Sequence, residues 1–298
     1  CIAVNINIPL YEPIYGLKKK ENISLIQYQS ANQVTSLPED ELSKFKQKWQ
    51  KAEKKLIIVG QHLPDDRLNE VLVELAQQGS VVLTETTSNL NSKYFISHID
   101  QALSQVNTIN ENQLFPDLVI SLGVHIVSKK IKAWLRSDQN YQHWHISLDK
   151  KAPDTFYHLT EHISAEESFF LNALKEEDKG LSKYAKLWSK IAKQAKKFHK
   201  QYTETIPYSD LMVFSELEKV IPKGIQIHFA NSTPIRYSQL FNFKTNIIDS
   251  NRGVSGIDGS VSTALGQSLC FNGQTILITG DLSFFYDSNA LWNNYIHS

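Results

Sequence analysis

The chain has 298 residues, and its 31 basic and 31 acidic side chains leave a formal net charge of zero. That balance argues against nucleic acid as the main partner, because such proteins usually carry a basic excess. No apolar run is long enough to span a bilayer as a helix, and the two cysteines, Cys1 and Cys270, lack metal-ligand spacing and point to a reducing compartment, the cytoplasm.

The length allows two domains. The chain opens inside Ile2-Ala3-Val4-Asn5-Ile6-Asn7-Ile8, which alternates like a strand. A start in mid-strand, with no initiator Met or leader, leads us to expect a piece of a longer protein. Residues 11–40 carry Pro13 and Pro38 among mixed polar residues and read as a linker. Pro38-Glu39-Asp40-Glu41 then starts a helix that runs to about Glu53, its first turn acidic where the helix dipole favours negative charge.

Lys55-Leu56-Ile57-Ile58-Val59-Gly60 reads as a buried strand, followed by a helix over 65–78 capped by Asp65 or Asp66, and by strand 81–83. Strand 117–123, helix 128–136 and strand 141–148 continue the alternation, which predicts a doubly wound parallel sheet. Gly60-Gln61-His62 lacks the G-x-G-x-x-G pattern, so this half is expected to be a Rossmann-like domain without a dinucleotide. His143 and His145 share one strand face, which reads as an ordinary polar face. His158-Leu159-Thr160-Glu161-His162 matches a zinc-peptidase pattern that needs both histidines on one helix. The Ser164-Ala165-Glu166-Glu167 capping box instead starts a helix at Ser164 and leaves both histidines ahead of it.

After a charged break at 175–180, residues 181–202 form a long basic helix with apolar positions at Leu181, Tyr184, Leu187, Trp188, Ile191 and Ala195. Its lysine face reads as solvated. Ser209 caps a helix ending near Val220. Strand 225–230, helix 234–241, strand 246–249, a glycine-rich loop, helix 258–271 and strand 275–279 then form half of an open α/β sheet. Residues 289–292 look helical. Three strand ends, at Asn231-Ser232, Ser250-Asn251-Arg252 and Gly280-Asp281, should meet in one crevice, where such sheets bind ligands. Gly280 lets a phosphate approach the backbone, and Asp281 is a hard oxygen donor suited to Mg²⁺. Ser232 and Arg236, four apart, share a helix face. Arg236 and Arg252 are two of only four arginines in the chain, and a guanidinium fork suits carboxylate ligands.

Asn251-Arg252-Gly253-Val254-Ser255-Gly256-Ile257-Asp258-Gly259 and Gly280-Asp281-Leu282-Ser283-Phe284-Phe285-Tyr286-Asp287 together resemble the thiamine-diphosphate (ThDP) enzymes. More narrowly, the chain resembles the MenD family of menaquinone biosynthesis, strongly over 228–292 and loosely before that. The resemblance implies two doubly wound α/β domains: an exit strand and linker over 1–20, a central Rossmann-like domain over 21–180, and a partial ThDP pyrophosphate-binding domain over 181–298. It implies ThDP and Mg²⁺, or Mn²⁺ in its place, as cofactors. It also implies a transferase that decarboxylates 2-oxoglutarate and adds the succinyl unit to isochorismate, working as a homodimer or dimer of dimers with the site between protomers.

The same resemblance assigns residues. Asp281 ligates the metal, with Gly280, Leu282 and Ser283 lining the pyrophosphate. Ile257 supports the bent cofactor, with Ser255 beside it. Ser232, Arg236 and Arg252 hold substrate, as do Lys129 and Lys130, although Lys130 stands where the family has Arg. The family's second metal-binding Asn falls beyond Ser298, Asn293-Asn294 being too close to Asp281 to serve. The activating glutamate belongs to an absent first domain, so the chain alone is expected to be inactive. Two other readings stay open: a different ThDP-dependent 2-keto-acid decarboxylase, and a non-catalytic α/β module that binds a nucleotide or a partner chain.

Overall fold

A computed structural model describes residues 37–106, 113–137, 140–176, 180–245 and 247–292. The opening strand, most of the linker, Cys1 and Asn293-Asn294 lie outside these. Two parallel sheets with helices on their faces make up an α/β architecture.

The first sheet contains β1 (Lys55–Val59), β2 (Val81–Thr84), β3 (Leu118–Leu122), β4 (Gln142–Ile146) and β5 (Glu161–Ile163), in the order β2-β1-β3-β4-β5. Strands β1, β2 and β3 are largely apolar at successive positions because both faces are covered. Ile57 and Val59 pack with Leu68, Leu72 and Phe170, from α2 (Asp66–Gln77) and α5 (Glu167–Ala173), and α1 (Glu39–Lys51) adds Phe45 and Trp49. Leu56 and Ile58 point the other way, to Ile99, Ile131 and Trp188, from α3 (Ile99–Leu103), α4 (Lys129–Ser137) and α6 (Lys183–Thr203). The Asp65 carboxylate caps α2 by accepting from the Leu68 N–H at 2.9 Å.

Two features of this half differ from expectation. The cap of α5 is Glu166, whose carboxylate accepts from the Ser168 and Phe169 N–H groups, and not Ser164. Ser164 is still leaving β5, because Ala165 is buried and donates its N–H back to Ile163. The strand β5 was not foreseen, since three residues, two of them polar, carry too little pattern. His162 lies within it and His158 on the preceding loop, so the two share no helix face. His143 and His145 do share a face, and it is interior. The Ser121 hydroxyl lies 2.8 Å from His143 Nε2 and 2.9 Å from His145 Nδ1. One hydroxyl proton serves only one of these, so at least one ring must donate to the oxygen.

In a sheet of this order the ligand crevice opens where β1 and β3 diverge. Here the chain closes it with its own backbone. The Gln61 N–H donates to His125 C=O at 2.8 Å, and the Val124 N–H donates to Gln61 C=O at 3.0 Å. A side chain at Gly60 would sit 2.5 Å from the His125 carbonyl oxygen.

The second sheet contains β6 (Gln226–Phe229), β7 (Ile247–Asp249) and β8 (Thr275–Ile278), in the order β7-β6-β8. Ile227, Phe229 and Ile248 pack on Phe214 of α7 (Asp210–Val220) and Ile235 of α8 (Thr233–Ser238). The opposite face of β6 meets α9 (Ser260–Cys270) through His228, whose Nδ1 lies 3.1 Å from Gln267 Oε1. Gln267 Nε2 in turn donates to Asp249 at 2.9 Å.

The helix α8 stops short of the expected 241, because Phe241 and Phe243 turn into the core under β6. A six-residue helix, α10 (Asp281–Tyr286), begins at Asp281, ahead of the helical residues expected over 289–292, where a 3₁₀ turn spans Ser288–Leu291. Although α6 was grouped with the second half from its sequence, its Tyr184, Ala185, Trp188 and Ile191 join the core of the first sheet.

Candidate functional site

Because β6, β7 and β8 run parallel, their carboxyl ends lie on one edge of the sheet. The segments that leave them frame a cleft of about 470 Å³. Ser232, Ile257, Gly280, Asp281, Leu282 and Ser283 all line it, opposite Phe214 and Leu217 of α7. Six expected site residues, carried on three separate segments, are thus brought together. Among the described residues, no heavy atom other than those of its immediate chain neighbours lies within 4 Å of the place a Gly280 side chain would take, which leaves the backbone there open to a ligand on that side. Asp281 is exposed at the first position of α10, with one carboxylate oxygen accepting its neighbour Leu282's N–H at 2.8 Å.

The glycine-rich loop is held in place by side chains from its neighbours. Asn231, at the end of β6 and only 2% exposed, donates through Nδ2 to the carbonyls of Asn251 and Gly256. Its Oδ1 accepts from Arg252 at 2.6 Å. The Ser283 hydroxyl donates to the Ile257 carbonyl, so that hydroxyl anchors the shelf residue while Ser283 lines the cleft. The buried Asp287 carboxylate accepts from both the N–H and the hydroxyl of Ser262, at 2.6 Å each, and ties α10 to the first turn of α9. Two residues at this edge hold a positive φ without being glycine: Ser232 at 74° and Ser255 at 59°. Such conformations cost energy and cluster at ligand sites.

The expected cations sit around the cleft and do not line it. Arg252 is half-buried, and its Nε has no hydrogen-bond partner among the described residues. Burial lowers its pKa, Glu85 opposes that, and the positive charge of Arg236 adds to it, which puts the two guanidinium groups within electrostatic reach. Arg236 is exposed on α8, and Ser255 is exposed on the loop. Lys129 and Lys130 are exposed in the first turn of α4. That turn is anchored by Glu85, which accepts from the Val127 and Ser128 N–H groups at 2.7 Å each. Burial pushes the Glu85 carboxyl up to about 7, against the pull of those two donors and of Lys132. Glu85 was not singled out from sequence, and Asn231 and Asp287 were named only as part of a strand end and of a motif, with no role of their own. The available signal was local: a polar or charged residue immediately after a buried strand or a short helix.

This arrangement is a ligand cleft at the open edge of a parallel sheet, with a hard carboxylate at its lip, a bare glycine backbone, an apolar shelf and peripheral arginines. A carboxylate donor beside open backbone suits a divalent ion carrying a diphosphate. Comparison with known proteins agrees with that class. A family model described as "Middle domain of thiamine pyrophosphate" matches residues 16–229. The chain belongs to this thiamine-pyrophosphate enzyme family.

Among curated relatives, proteins from Christiangramia forsetii, Flavobacterium psychrophilum and Porphyromonas gingivalis are 42%, 39% and 34% identical over 99%, 98% and 99% of the chain. All three are named 2-succinyl-5-enolpyruvyl-6-hydroxy-3-cyclohexene-1-carboxylate synthase. The chain spans about half the length of these relatives, 52% to 53%.

Proposed function

We propose that the chain supplies the central domain and the start of the pyrophosphate-binding domain of a synthase of the kind its relatives are named for. Its reaction would decarboxylate 2-oxoglutarate and join the succinyl unit to isochorismate, within menaquinone biosynthesis. The observation that carries the proposal is the Gly280-Asp281 turn at the lip of a cleft that also gathers Ser232, Ile257 and Ser283.

In this reading Asp281 holds Mg²⁺, or Mn²⁺ in its place, and Gly280, Leu282 and Ser283 border the pyrophosphate. ThDP, when bound, supplies the nucleophilic carbon and the electron sink for decarboxylation. The chain's own residues bind and orient. Ile257 gives the cofactor an apolar shelf, and Ser255 stands beside it. Arg252, Arg236 and Ser232 receive substrate carboxylates, for which a planar guanidinium offers two parallel bonds. Lys129 and Lys130 extend the positive field from the first turn of α4.

The layout goes with the same proposal: an exit strand and linker over 1–20, a central domain over 21–180, and a pyrophosphate-binding domain over 181–298, with α6 leaning on the central sheet. So do a homodimer or dimer of dimers with the site between protomers, and a cytoplasmic location. Among the described residues no helix is long and apolar enough to cross a membrane.

The test is consumption of isochorismate by the full-length gene product with ThDP and Mg²⁺. Loss that requires 2-oxoglutarate and releases one carbon dioxide per isochorismate supports the proposal. Carbon dioxide released equally well without isochorismate would favour a simple 2-keto-acid decarboxylase instead.

A further inference from the structure

The Asn231 side chain touches the glycine-rich loop at three residues, Asn251, Arg252 and Gly256. Its two amide protons go to the carbonyls of Asn251 and Gly256, and its oxygen accepts from Arg252. The orientation of the amide is fixed by its partners. Turned over, its oxygen would face two carbonyl oxygens and its NH₂ would face a guanidinium. The Gly256 carbonyl immediately precedes Ile257, whose own carbonyl is held by Ser283. Arg252 donates to the Asn231 oxygen through Nη1, while the Arg252 Nε is buried and has no partner among the described residues. A buried amide whose two donors and acceptor are all partnered defines one geometry for the residues it holds.

We propose that Asn231 is a positioning residue. It sets the Arg252 fork for a substrate carboxylate and the Ile257 shelf for the cofactor, so that substrate and cofactor are placed by one side chain. This rests on the function proposed above. Neither role involves Asn231 touching substrate, and both act through the loop it holds.

The experiment combines Asn231→Ser, Asn231→Asp and Arg252→Ala in the full-length gene product. Asn231→Ser should raise the KM for the carboxylate substrates about tenfold with a smaller change in kcat, and should add less than about twofold in the Arg252→Ala background. An equal factor in both backgrounds, or no KM change, overturns the proposal. Asn231→Asp keeps an acceptor for Arg252 but turns an oxygen toward two carbonyls. It should therefore impair KM at least as much, and wild-type behaviour in this variant also overturns the proposal.

A second readout needs neither cofactor nor turnover. Amide exchange in apoprotein carrying Asn231→Asp, or Asn231→Ser where it folds, should quicken over residues 251–257 and stay unchanged in β6 and β8. A uniform increase would make Asn231 merely structural. Wild-type protein lacking synthase activity would defeat the proposed reaction, whereas active wild-type protein with indifferent Asn231 variants defeats only this inference.

Discussion

The side-chain amide of Asn89 pairs with both backbone polar groups of Ile248. Its Oδ1 accepts from the Ile248 N–H at 2.7 Å, and its Nδ2 donates to the Ile248 carbonyl at 3.1 Å. Ile248 is the middle residue of β7, which lies at the edge of the second sheet, so a side chain from the first half substitutes for a neighbouring strand. Gln61, donating to Ser250 C=O at 2.9 Å, and Thr86, donating to Gln239 and Ser238, reinforce the same joint. The glycine-rich loop begins just past β7, so this joint helps set where it starts.

Asn89 also occupies the left-handed region, at φ 57°. Asn89→Gly should lose the pairing, together with the Nδ2 bond to the His62 carbonyl at 2.7 Å, without backbone strain, at a cost of about 1–3 kcal/mol for stranding these groups. Asn89→Ala should lose the pairing and add about 1 kcal/mol of backbone strain. Urea unfolding of the two variants measures both terms. Equal stability of wild type and Asn89→Gly would deny the joint any energetic weight.

The sealed crevice of the first sheet gives a second prediction. A methyl group at Gly60 would meet the His125 carbonyl oxygen at 2.5 Å, and that oxygen belongs to backbone with little room to yield. Gly60→Ala should therefore destabilise the protein by about 1–3 kcal/mol through overpacking. A melting temperature unchanged from wild type would mean that the two loops part freely.

Glu85 predicts a pH dependence. Its carboxyl titrates near 7 in the fold and at 4.5 as an ordinary glutamate. Between those values the unfolded chain has given up a proton that the folded chain keeps. The Glu85 contribution to stability is therefore full below about 4.5 and lost as pH rises through about 7. Melting temperature against pH, compared with Glu85→Gln, isolates this slope. The difference between the two proteins should change across that interval and be flat below it, and a constant difference would contradict the assignment.

Buried histidines act with the opposite sign. Burial pushes His143 down to about 3 and His228 to about 4, from an ordinary 6.5. Both stay neutral in the fold while the unfolded chain takes up protons. Their contribution is thus present above 6.5 and lost as pH falls toward 4. His228→Asn, whose amide stands near the position of the ring Nδ1, should lessen the acid loss of stability measured by thermal unfolding. An acid limb identical to wild type would count against it.

Much of this was legible in the sequence because parallel strands buried on both faces announce themselves. Lys55–Val59, Leu118–Leu122 and Thr275–Ile278 were each located to within about a residue or two. The cleft was legible because strand direction places carboxyl ends together, whatever the side chains do. What stayed hidden depended on contacts between distant residues. Asn231 meets Arg252, Glu85 meets Ser128, and Asp287 meets Ser262 only after the chain has folded. The strand β5 was missed because three residues cannot establish a period. The start of α5 was misplaced because Ser164 matched a capping motif while the core claimed Ala165.

Calorimetric titration of ThDP and Mg²⁺ into the full-length gene product, beside its Asp281→Ala variant, tests the central claim most directly. The account predicts binding that needs the metal and that is lost when the Asp281 carboxylate is removed, with the variant's melting temperature close to that of wild type. Equal binding by folded wild type and variant, or none by either, would contradict it and leave Gly280-Asp281 as a turn that only opens a helix.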